Sequence, residues 1–98
     1  MIIDKLKEIG KIKNSQSRIF EVFQLADDKL FPVLGQISDR RAALRLLLKF
    51  IQEMPDNLLE EDGKGVFDAL LGDITEAYRE IIEALPEKER AEFPKRIG

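Results

Sequence analysis

The chain contains no cysteine and no histidine. Without cysteine there is no disulfide framework, no thiol nucleophile and no thiolate metal site. Without histidine the commonest proton-transfer group at neutral pH is gone, and with it Ser-His-Asp and Cys-His triads, histidine-ligated zinc and the Glu-x-x-His pairs of di-iron bundles. Threonine and valine are also scarce, limited to Val22, Val33, Val66 and Thr75. Apart from isoleucine, the β-branched residues that favour strands are therefore few, and no sheet is expected. No apolar run approaches the roughly 20 residues needed to cross a bilayer, and Met1-Ile2-Ile3-Asp4-Lys5 lacks the apolar stretch of a signal peptide. The expectation is a soluble, cytoplasmic protein with no membrane partner.

What is present suits amphipathic helices. Of the 98 residues, 44% are apolar and 36% charged, the latter against an average of about 25%. That length has room for one core, so residues 1–98 are expected to form a single domain. The net charge is only −3, but the signs are segregated. Lys5, Lys7, Lys11, Lys13 and Arg18 lie near the start, while twelve acids face six bases from Asp56 onward.

Ile2, Leu6, Ile9, Gln16, Phe20, Phe23 and Leu30, with Lys13 and Asp27 filling the two missing steps, recur at steps of three and four, which predicts a helix over about Ile2 to Lys29, weakened near Gly10 and at Asn14-Ser15, where Ser15 could instead cap a second helix. Phe31-Pro32-Val33-Leu34-Gly35 predicts a corner, because proline disfavours a helical residue before it. Ser38 is then positioned to cap a helix from Ala42 to Glu53 that Pro55 ends. After Pro55-Asp56-Asn57-Leu58-Leu59-Glu60-Glu61 and a breaker at Asp62-Gly63-Lys64-Gly65, the line Phe67, Leu70, Leu71, Ile74, Ala77, Tyr78, Ile81, Leu85 predicts a second long helix. Leu85-Pro86 stops it, a short restart follows, and Phe93 docks back. The resulting fold class is all-α, a small antiparallel helical bundle of three to four main helices. Its centre is expected to hold Phe20, Phe23, Leu47, Ile51, Phe67, Leu71, Ile74, Tyr78 and Ile81.

The helix from Ala42 carries Ala43, Leu44, Leu46, Leu47, Leu48, Phe50, Ile51 and Met54, more than the stripe a surface helix needs. The excess predicts a central position or a face shared with a protein partner, with homodimerisation one form of it. Leu46, Leu48 and Phe50 are the candidate apolar contacts, and Arg41, Arg45 and Lys49, at steps of four, the candidate basic ridge. The function this suggests is a non-catalytic interaction module, namely an adaptor, inhibitor, chaperone-like partner or assembly subunit.

Leu34-Gly35-Gln36-Ile37-Ser38-Asp39-Arg40-Arg41-Ala42 resembles the turn and second helix of a helix-turn-helix, which would place Arg40, Arg41 and Arg45 in a nucleic-acid groove, with Lys5, Lys7, Lys11 and Lys13 as phosphate contacts. Against this alternative stand the acidic overall charge and the apolar character from Leu46 onward. Glu60 to Asp68 resembles an EF-hand calcium loop, with Gly65 at the sharp turn and Phe67 at the apolar position. It departs from the pattern at Glu60, at Lys64 and at Leu71, which stands in place of the closing glutamate. No cofactor or metal is expected. Asp73, Glu76, Glu80 and Glu83 form an acidic ridge on the long helix, a possible Mg²⁺ site or counterpart to the basic ridge, though a hydrated surface suffices to explain it. Ser15, Ser17, Ser38 and Thr75 sit where capping or helix surface accounts for them.

Overall fold

A wide turn at Ala26–Leu30 resets the register of the helix that carries it. The computed structural model describes residues 2–54 and 64–94, and among these there are helices and no strand. They are α1 (Ile2–Ile9), α2 (Ser15–Leu25), a π-helical turn (Ala26–Leu30), α3 (Phe31–Gln36), α4 (Arg40–Gln52), α5 (Lys64–Glu83) and α6 (Glu87–Arg90). No described helix is long and apolar enough to cross a membrane.

The single first helix expected from the sequence is two. Asn14, not Ser15, caps α2, its side chain accepting from the Ser17 amide at 3.0 Å. The link is closed by Arg18, which is only 4% exposed and donates from its guanidinium to the Ile12 carbonyl at 2.7 Å.

The corner expected at Phe31-Pro32 is not a break either, since the chain stays helical from Ser15 to Gln36. Proline has no N–H, and its ring crowds the carbonyl four residues back. The π turn widens the ladder just before that point, so that the Phe31 amide donates five residues back, to the Ala26 carbonyl. One residue is thereby inserted into the helical register. In an uninterrupted helix, at about 100° per residue, Phe31 would point about 180° from the buried Val22 and Leu34 about 120° from it. The inserted residue turns both back by about 100°, which brings Leu34 into line with the core and Phe31 onto its flank. Leu34 is indeed buried and Phe31 half-buried.

A three-residue link leads to α4, whose cap is Asp39 and not Ser38. Its carboxylate accepts from the amides of Arg41 at 3.0 Å and Ala42 at 3.4 Å. The α5 helix runs for 20 residues, about 30 Å. Lys64 and Gly65 already belong to it, so the breaker expected there extends at most through residues that lie outside those described. Arg90 satisfies the carbonyls at the end of α5, donating to Leu85 at 2.9 Å and Glu83 at 2.8 Å.

One contiguous core joins these elements. α4 packs on α5 and on α1, and α2 packs on α5 and on α1. Leu6 and Ile9, Ile19 and Val22, Ala26 and Leu30, Leu44, Leu47 and Phe50, and Leu70, Ile74, Tyr78 and Ile81 are all buried in it. Of the expected centre, Leu47, Ile74, Tyr78 and Ile81 are buried, while Phe23, Ile51 and Phe67 are half-buried against the core. Leu71 is half-exposed and Leu70 takes its place. Phe20 is wrong outright, at 60% exposed. Carrying one register across Asn14 would put it in the core, whereas within α2 it lies about 160° around the helix from Val22.

A candidate docking groove between the helix bend and the long helix

The bend that turns Phe31 and Leu34 toward α5 opens a groove of about 390 Å³ between the two. Its apolar lining comes from Phe31 and Leu34 on one side and Ala77 and Ile81 on the other. Its polar lining is wholly acidic: Asp27 from the π turn, and Asp73, Glu76 and Glu80 from α5. All four carboxylates belong to exposed residues, and none makes an ion pair or side-chain hydrogen bond among the described residues. The spacing of the three on α5, three and then four residues, puts like charges side by side, and each such pair weakens a helix by about 0.2–0.5 kcal/mol.

Beyond the groove, α2 presents one large apolar side chain to solvent. Phe20 is the large hydrophobic side chain left exposed among the described residues. It precedes Asp27 by seven residues, which is within about 20° of two full turns, so the two share a helix flank about 10 Å apart. A half-buried aromatic ring and four unmatched carboxylates therefore line the groove, and Phe20 lies about two turns from Asp27 on the same flank of the helix.

The acidic ridge was legible in the sequence, but its opposite wall was not. Asp27, Phe31 and Leu34 were missed because Phe31-Pro32 reads as a chain break unless the π turn is known. No cluster of three or more metal-ligating side chains exists among the described residues, so the ridge is not arranged as a cation cage.

The basic ridge is placed differently from its expected role. Arg41 reaches Glu89 at 3.7 Å and Glu92 at 2.6 Å, in and just after α6. Lys49 pairs with Glu53 one turn on, at 3.3 Å. The counter-charges are therefore not those of the α5 ridge. Arg40 and Arg45 are exposed. Of the apolar candidates on α4, Leu46 and Leu48 are half-buried against the core, but Phe50 is 0% exposed and has no surface to offer a partner. It lies on the same face of α4 as Ala43 and Leu47, which are also sealed, because Phe50 follows each at helical spacing.

Two resemblances are also resolved in part. α3, Ile37 to Asp39 and α4 do run helix, three-residue turn, helix, and Pro32 does not interrupt the first of them. The calcium-loop resemblance falls partly on residues 60–63, outside those described, while Gly65 sits inside α5 and not at a sharp turn.

Tyr78 ties the end of the chain to the core. Its hydroxyl donates to the Pro94 carbonyl, and burial raises its pKa above the ordinary tyrosine value. Compared with protein-family models, with characterised proteins and with solved structures, the chain matches none.

Proposed function

We propose that this protein is a non-catalytic interaction module that docks a partner protein on the face formed by the bend and α5. The observation that carries this reading is the groove itself, in which apolar side chains and unpaired carboxylates converge. Small-molecule sites place a few polar groups of differing character around an enclosed cavity, whereas this surface is open and of one charge. Interfaces combine an apolar centre with a polar rim, which is the arrangement here. The reading also takes the main helices as a small antiparallel bundle in one domain, acting in the cytoplasm.

Site-specific photo-crosslinking from Ala77, in cells that make the protein, tests it. A crosslinked protein is expected that disappears when Glu76→Lys is added. No crosslink from Ala77, or one indifferent to Glu76→Lys, refutes the groove as the docking face. A crosslink to a second copy would make the module a homo-oligomer.

A second reading has one observation in its favour, the unbroken helix, turn and helix that leaves Arg40 and Arg45 exposed at the start of α4. It makes the protein nucleic-acid-associated. Its weakness is that Arg41 is already matched by two carboxylates. Retention of duplex or single-stranded probes that falls steeply with salt, and is abolished by Arg40→Glu with Arg45→Glu, is its test. No retention at low salt ends it.

A further inference from the structure

We infer that the occupant of the groove is a cationic amphipathic helix of a partner protein, with an apolar stripe flanked by lysine or arginine. The inference rests on the docking reading above and names the chemistry of what docks.

Three features select that occupant. The floor offers apolar surface chiefly at the half-buried Phe31 and Ala77, with Leu34 and Ile81 buried beneath them, and covering it is favourable only for an apolar side chain. The rim of Asp27 on one wall and Asp73, Glu76 and Glu80 on the other makes a negatively charged cleft whose potential is focused by the low-dielectric protein beneath. An acidic or neutral apolar segment would leave these carboxylates partly desolvated and unmatched, which is costly, while a segment with cations on both shoulders matches them. The α5 carboxylates recur at helical spacing, so cations at steps of three and four residues on a facing helix meet them in register. Phe20, about 10 Å along the same flank from Asp27, offers a second apolar contact two turns away. A helix laid in a groove with anchors one to two turns apart is a recurring mode of recognition.

The test uses the full, isotope-labelled chain and three synthetic helices of about four turns each. The first has a leucine stripe with lysine shoulders, the second the same stripe with glutamate shoulders, and the third lysine shoulders around a serine stripe. The first is expected to bind and to move the backbone resonances of Asp27 to Gly35 and Asp73 to Ile81. The second is expected not to bind, and the third to bind at least tenfold more weakly, equivalent to about 1.4 kcal/mol. Binding of the first should weaken as the Debye length falls from about 10 Å at 0.1 M salt to about 3 Å at 1 M. Glu76→Gln with Glu80→Gln should lose binding at least tenfold while melting close to the parent, since it removes a like-charge pair and neither residue makes an ion pair among the described residues. Asp27→Asn, which leaves α5 untouched, should weaken binding in the same direction, and Arg45→Glu should not.

Equal binding of the first two peptides, equal binding of the first and third, resonance shifts confined to α1 or α4, or no binding at all would each overturn the proposal. If Ala77 crosslinks a partner protein in cells and the lysine-shouldered peptide does not bind, the docking face survives and only the chemistry of its occupant is wrong. If neither occurs, both fall.

Discussion

Two phenylalanines test the reset of register at Asn14, one of them buried and the other left in solvent by it. Phe50 is 0% exposed and Phe20 60% exposed. Truncating a fully buried phenylalanine to alanine costs about 3–5 kcal/mol, transfer and cavity terms together. Burying a whole phenylalanine side chain is worth about 1.5–3 kcal/mol, so the two-fifths of Phe20 that is covered contributes about 1 kcal/mol at most. For a domain with a total stability of about 5–15 kcal/mol, Phe50→Ala should remove at least about a fifth of it, whereas Phe20→Ala should lower the melting temperature by no more than about 4–8 °C. Urea unfolding followed by far-ultraviolet circular dichroism measures both, and Phe50→Leu supplies a folded variant if Phe50→Ala does not fold. A cost for Phe20→Ala equal to that for Phe50→Ala would refute the reset of register at Asn14. It would mean that α2 presents to the core the face read from an uninterrupted pattern.

Three other outcomes follow from single contacts. Arg18→Met should destabilise the fold by about 1.5–3 kcal/mol, the worth of a charged hydrogen bond to the Ile12 carbonyl, with faster amide exchange in the link between α1 and α2. Asp39→Ala should cost about 0.5–2 kcal/mol by uncapping α4, read by thermal melting, and Ser38→Ala should cost little because Ser38 is not the cap. Burial raises the folded-state pKa of Tyr78 above its unfolded value of 10.0, so the unfolded chain releases that proton first. The associated stability is fully present below pH 10.0 and is lost as pH rises through the folded pKa. Tyr78→Phe should remove that part of the alkaline decline in a urea titration, and a decline unchanged by the substitution would show that another group is responsible.

The helical character of the chain, its long α5 and the central places of Leu47, Ile74, Tyr78 and Ile81 were determined by the sequence alone. Residue type and spacing suffice where an element is long and regular, because the apolar side must face inward whatever packs against it. The acidic ridge was legible for the same reason, as a repeat along one helix. What only the tertiary structure decided was phase and pairing. Whether Pro32 ends a helix or is absorbed by a π turn depends on how Leu30 and Leu34 pack, and a one-residue shift there moves Phe31 from solvent to the wall of the groove. Which carboxylates meet Arg41 likewise depends on where the chain after α5 returns. Local periodicity carries no information about contacts between residues far apart in the chain, and the groove is made of such contacts.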